Sequence, residues 1–178
     1  MHRQWMVALH DLPEAGRAWD AEVPKRLLED RGAGTVDAVE NLCDNVHWQV
    51  QLVRKGDVYR LTGNWQADIQ RQCSRCNASF CWHEEGPTER DFRRSDHVSD
   101  EDDESGFCEL VSPPGIVDLI DVLREDMWLD RKPDVICSEN CKGLCARCGH
   151  DLSRGECDCD RDESDHPFAI LRQMKLDA

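Results

Sequence analysis

Six of the eleven cysteines fall between positions 137 and 159, in the run CSENCKGLCARCGHDLSRGECDC. No other feature limits the fold so sharply. The spacing reads Cys137-x3-Cys141-x3-Cys145-x2-Cys148, then eight residues, then Cys157-x-Cys159. A C-x2-C step lets two thiolates reach one ion from a single tight turn, and Gly149, directly after Cys148, suits the backbone angles of such a turn. The loop from Cys148 to Cys157 is long enough to return the chain and close a tetrahedral shell. Zinc accepts four sulfurs at about 2.3 Å. Six cysteines do not divide by four, and the lenders of the missing pair are Cys73 and Cys76 in the upstream knuckle CSRC. The expectation is two zinc ions per chain, one held by Cys73, Cys76, Cys137 and Cys141, the other by Cys145, Cys148, Cys157 and Cys159. A ribbon-type arrangement would interleave the C-terminal pairs differently at the same total.

Disulfide pairing of these thiols would need an oxidising compartment. The start, MHRQWMVALHDLP, has an apolar run of only five residues before His10 and Asp11, unlike a secretory signal. No stretch approaches a membrane span. A cytoplasmic location without a membrane partner is therefore expected. Formal net charge is −15, and two four-thiolate zinc centres would take it to about −19. Such a chain repels bare nucleic acid at long range, which opposes a zinc-ribbon nucleic-acid module; the charge either suits basic proteins as partners or serves solubility alone. No Gly-rich phosphate loop and no nucleophile elbow is present. The carboxylates lie in runs where nothing fixes their geometry for acid–base work, so no catalytic residue is expected.

Along the chain, Trp5 to Leu9 reads as a short strand, and Trp19, Val23, Leu27 and Leu28 place a helix over Ala18 to Arg31, with Pro24 against it. Gly32 and Gly34 break what precedes them. Val46, Trp48, Val50 and Leu52, then Val58 to Trp65, predict a hairpin with its turn at Lys55-Gly56-Asp57. Ala67 and Ile69 extend it to Cys73. Phe80, Trp82 and Phe92 predict a further strand, interrupted at Gly86-Pro87. Ser95 to Ser105 carries six carboxylates and no lysine or arginine, which reads as a solvated linker. Order resumes over Phe107 to Val111, and the spacing of Ile116, Leu119, Ile120, Leu123 and Met127 predicts an amphipathic helix over Ile116 to Leu129. Asp118 and Asp121 complement its dipole near the N-terminal end. A second acidic run, Glu156 to Asp165, precedes His166-Pro167-Phe168-Ala169-Ile170-Leu171 and a short helix with Met174 and Leu176.

At CSRC, at Cys141-Lys142-Gly143-Leu144-Cys145-Ala146-Arg147-Cys148-Gly149, at Cys157-Asp158-Cys159 and at His166 to Leu171, the chain resembles the YceD family, the domain of unknown function 177 group named for large ribosomal RNA subunit accumulation. The resemblance covers most of the chain. It implies a non-enzymatic role in accumulating large-subunit ribosomal RNA, and hence in assembly of the large ribosomal subunit. Some relatives lack most of the C-terminal cysteines, so it does not make the second metal shell essential to the shared role.

The fold expected is α+β: an antiparallel β-sheet domain with a few helices and a cysteine-rich, zinc-binding C-terminal region. Residues 1–94 form its β-rich part with the first knuckle, 95–106 an acidic flexible linker, and 107–178 the helix and zinc-binding part, folded as one domain with 1–94. The partner expected is a large-subunit precursor, with a basic ribosomal protein or protein–RNA intermediate favoured over naked RNA. Arg75, Lys142, Arg147 and Arg154, inside or beside the knuckles, either compensate the dianionic centres or touch phosphates. The rival reading is a thiol-redox or metal-donating protein using the Cys-x2-Cys motifs. Redox CxxC ordinarily precedes a helix in a βαβ setting, whereas alternating strands flank CSRC. A self-contained site of Cys73, Cys76, Cys81 and His83 would strand Cys137 and Cys141. Cys43 and Cys108, in apolar surroundings, read as buried packing residues, and His150 as a turn residue.

Overall fold

Alternation of apolar and polar residues builds a long central hairpin. β3 (Val46–Lys55) and β4 (Val58–Gln72) pair antiparallel from His47↔Gln66 to Lys55↔Val58. Gly56 opens the two-residue turn at φ 66°, the positive angle that such loops demand of their first position. The computed structural model describes residues 2–29, 39–97 and 108–159. The glycine breaks at 32 and 34, the linker beyond His97, the acidic run beyond Cys159, the His166–Leu171 motif and the helix expected around Met174 all lie outside the described residues.

The hairpin is the middle of a five-stranded sheet ordered β2-β3-β4-β5-β6, with β2 Arg17–Val23, β5 Ser79–Arg94 and β6 Cys108–Val111. All pairings are antiparallel except β5 with β6, which runs parallel, so the sheet is mixed. A separate two-stranded ribbon joins β1 (Met6–Ala8) to β7 (Ile116–Asp118). Helix α1 spans Lys25–Glu29 and α2 spans Leu119–Leu129. The α2 face bearing Leu119, Ile120, Leu123 and Met127 joins Trp5, Trp48, Trp65, Leu61 and Phe92 in one core.

Three readings need correction. The helix over Ala18 to Arg31 is strand β2 up to Val23, and among the described residues of that span the helix is Lys25–Glu29. Positions 19 and 23 suit a helix face, but 19, 21 and 23 equally suit a strand, and the open edge of β3 decides for the strand. Pro24, lacking an N–H, marks the boundary. The Gly86-Pro87 interruption does not occur: β5 pairs with β4 without a break, Trp65↔Gly86 and Asn64↔Pro87 included. Among the described residues β6 covers only Asp91 to Arg94, so Pro87 lies on a stretch of edge with no described partner, where its missing donor costs no described ladder bond. Gly86 is required because a Cβ there would run into the Trp65 ring and the Asp130 carboxylate. Finally, α2 starts three residues late. Ile116 to Asp118 pair with β1, and Asp118 caps the helix by accepting from the Ile120 N–H at 3.0 Å.

Candidate metal centres and an acidic groove

The two Cys-x2-Cys knuckles share one backbone design. At CSRC, Cys73 N–H donates to the Ala78 carbonyl at 2.9 Å and Asn77 N–H returns to the Cys73 carbonyl at 2.8 Å. At the second knuckle, Cys145 N–H donates to the His150 carbonyl at 2.8 Å and Gly149 N–H returns to the Cys145 carbonyl at 2.8 Å. Both loops need a left-handed residue after the second cysteine. Asn77 (φ 58°) fills that place in one and Gly149 (φ 72°) in the other, the residue types that tolerate it best.

Each knuckle meets a second cysteine pair. Cys73, Cys76, Cys137 and Cys141 bring their sulfurs together, as do Cys145, Cys148, Cys157 and Cys159, with all ligand atoms of a group within 4.8 Å of one another. In the first group Cys73 Sγ lies 3.7 Å from Cys141 Sγ and Cys76 Sγ lies 3.7 Å from Cys137 Sγ. A tetrahedron with 2.3 Å metal–sulfur arms has edges of about 3.8 Å, so this donor set fits a zinc-sized cation. These are the same two sets of four cysteines as in the first expected partition.

The thiols titrate in a parallel way. Burial opposes ionisation of Cys73, but the N–H groups of Cys137, Cys76 and Arg75 outweigh it and bring its pKa down to about 6. The N–H groups of Cys148 and Arg147 do the same for Cys145, also to about 6. The far partners move the other way. Cys137 is pushed up to about 12, first by its hydrogen bond with Cys76, and Cys159 up to about 12, first by that with Cys148. Within each group, backbone N–H donors favour the thiolate at Cys73 and Cys145, while the sulfur–sulfur hydrogen bonds favour the thiol at Cys137 and Cys159.

The first centre is built across the fold. Ser74 N–H donates to the Val135 carbonyl at 2.8 Å, and Val135 N–H returns to Ser74 Oγ at 3.2 Å. Above it Arg71 and Glu84, both buried, pair at 2.6 Å, while Arg71 also holds the Lys132 carbonyl. No feature of the sequence marks this pair, since Arg71 and Glu84 sit at ordinary strand positions. Ser153 links the two centres: its hydroxyl accepts from Lys142 N–H at 3.1 Å and reaches Cys141 Sγ at 3.9 Å.

The basic candidates divide. Arg75 is a clamp, its guanidinium donating to the Cys141 carbonyl at 3.0 Å, and Arg154 pairs with Asp151 at 3.4 Å. Lys142 and Arg147 are exposed. His150 contributes a carbonyl to the knuckle, as a turn residue does. Cys81 and His83 do not join CSRC. His83 Nδ1 contacts Asp68 at 2.8 Å and Cys81 faces Cys43, which is exposed rather than buried. Cys43 precedes β3 on the solvent side, so its apolar sequence neighbours misled. Cys108 is half-buried at the start of β6.

A groove of about 1000 Å³ lies between α2 and the β5–β6 edge, and among the described residues its lining carries eight carboxylates and one guanidinium, Arg90. Arg90 holds Asp126 at 2.7 Å and Glu125 at 3.2 Å, and Thr88 also hydrogen-bonds the Asp126 carboxylate. Burial, then repulsion from Glu125, raises the Glu109 pKa, and burial raises that of Asp126 despite Arg90. Leu110, Ile116 and Leu129 stand exposed on its walls, Leu129 at 71%. The sequence signal was available in the one-sided acidic face of α2, where Asp121 and Glu125 recur at four.

The family model of the large ribosomal RNA subunit accumulation protein YceD matches residues 61–175. The large ribosomal RNA subunit accumulation protein YCED homolog 1, chloroplastic, of Arabidopsis thaliana is 26% identical over 181 residues, which cover 86% of this chain. The chain spans only 56% of that relative's length. No solved structure matches. Among the described residues, no helix is long and apolar enough to cross a membrane.

Proposed function

The chain belongs to the YceD family, and from that premise we propose that it is a non-enzymatic factor for accumulation of large-subunit ribosomal RNA and assembly of the large ribosomal subunit. In this reading each cysteine group holds a structural zinc ion, and the protein works in the cytoplasm with reduced thiols. The zinc ions would fix the C-terminal region onto CSRC. The observation that carries the mode of action is the groove beside α2, whose described lining has eight carboxylates, two of them paired with Arg60 and Arg124 behind it, one guanidinium, and apolar side chains on its walls. Its charge and shape complement a basic, amphipathic segment of a ribosomal protein. A phosphate backbone, by contrast, needs lysine and arginine facing it. Of the four basic candidates, Arg75 and Arg154 make contacts within the protein that support charge compensation, while exposed Lys142 is the one proposed for local RNA contact.

The thiol-redox alternative draws no support from CSRC. That motif turns between two antiparallel strands, and both its cysteines face Cys137 and Cys141 instead of a substrate cleft. Competition binding at an ionic strength of about 0.15 M, where the screening length is about 8 Å, tests the proposed partner. A basic large-subunit protein, or its complex with RNA, is expected to bind more tightly than protein-free ribosomal RNA. Glu109→Gln with Glu125→Gln should weaken that binding about tenfold, as removal of close charge partners does. Submicromolar binding of bare RNA that basic ribosomal proteins do not compete would overturn the reading.

A further inference from the structure

One pair of thiols belongs to neither metal group. Cys43 Sγ and Cys81 Sγ lie 2.6 Å apart on the exposed face of the sheet. The separation excludes a shared metal of the kind read above, because sulfurs around such an ion stand about 3.8 Å apart. It is only about 0.6 Å longer than a disulfide bond. The apposition is set by the backbone. Cys43 N–H donates to the Asp68 carbonyl at 2.8 Å, Gln70 N–H donates to the Asn41 carbonyl at 2.8 Å, and Leu42 bridges Ile69. Those bonds fix 41–43 along β4, while Cys81 sits opposite Gln70 on β5. Both thiols are open to solvent and to small reagents.

We propose that Cys43 and Cys81 form a reversible disulfide with a low-molecular-weight disulfide as oxidant, leaving both metal centres intact. The Cys43 thiolate attacks one sulfur of the oxidant, whose S–S bond breaks and releases one thiolate. Cys81 then gives up its proton and attacks the Cys43 sulfur of the mixed disulfide, expelling the second thiolate. Two protein thiols become one disulfide, and the oxidant is reduced to two thiols. Cys81 is pushed up to about 11, first by its hydrogen bond with Cys43 and then by partial desolvation, so it keeps its proton until the second step. The bond would staple the segment before β3 to β5 across 38 positions of chain. A disulfide of this kind in a reducing compartment senses redox state instead of serving as permanent structure. The inference does not depend on the proposed ribosomal role.

The test incubates the full, metal-loaded chain with glutathione disulfide and maps peptides without reduction. A Cys43–Cys81 peptide should appear, the intact mass should fall by two hydrogens, and dithiothreitol should restore it. Metal content should stay unchanged, and the oxidised protein should melt several degrees higher, because the crosslink restricts the unfolded chain. In Cys81→Ser the second step is blocked, so a glutathione adduct should accumulate on Cys43 at least about tenfold above wild type. Crosslinks confined to the metal-group cysteines, metal loss in step with oxidation, or an equal adduct yield in wild type and Cys81→Ser would overturn the proposal.

Discussion

The two cysteine centres share a knuckle and differ in almost everything around it. The first joins Cys73 and Cys76, between β4 and β5, to Cys137 and Cys141 across 61 and 68 positions of chain. Three of its four cysteines are buried, and Ala78, Phe80 and Ile136 pack against them. The second closes within residues 145–159, and none of its cysteines is buried. One loop design therefore serves two purposes. Where it spans distant segments and excludes water, a bound metal would hold the fold together. Where it closes locally in solvent, a bound metal would order only its own loop.

That contrast predicts unequal damage. Cys76→Ser should cost the most, about 4 kcal/mol or more in chemical denaturation, with metal content halved and proteolysis opened near Cys137. The Arg71–Glu84 pair above this centre comes next. Glu84→Gln leaves a buried guanidinium uncompensated and should cost about 3–5 kcal/mol, while Arg71→Met added to it should recover much of the loss. Recovery that fails would mean that the Lys132 carbonyl, not Glu84, is the partner that matters.

Smaller effects belong to the solvent-facing parts. Cys157→Ser should empty the second centre yet change global stability by less than about 1 kcal/mol, with amide protection lost only across residues 143–159. Acid should act on both apo centres with one sign. Cys73 and Cys145 ionise near pH 6 in the folded chain, below the ordinary thiol value of 9.0. Their contribution is present above the ordinary value and is lost as pH falls through about 6, so metal-free protein should lose stability across that window in a pH-dependent melt. Smallest of all, Glu109→Gln should stabilise slightly, by a few tenths of a kcal/mol. Its raised pKa reports a charged form that burial and Glu125 disfavour, and solvent screens much of that cost. For the same reason, a basic partner should bind less tightly as mild acidification protonates the groove.

How far the sequence carried the account follows the same divide between local and distant. The β3–β4 hairpin was legible because alternation and Gly56 act within a few residues. Both cysteine groups were legible because metal geometry makes four-thiol arithmetic strict. Distant partners misled elsewhere. Trp19 and Val23 satisfy two periodicities, and only the β3 edge chooses between them. Pro87 looks like a break until β6 is seen to stop short of it. The parallel β5–β6 pairing, the Arg71–Glu84 pair and the Cys43–Cys81 apposition arise from strand register, which no short window of residues encodes.

The unequal-centres account is tested most directly by native mass spectrometry of the full chain during chelator titration, with hydrogen exchange read at each step. Two zinc ions per chain are expected, leaving one at a time. The first departure should deprotect only the loop around Cys145 to Cys159, and the second should deprotect the Cys73 knuckle and the segment around Val135 together. A stoichiometry other than two, or a single cooperative release that unfolds everything at once, would contradict it.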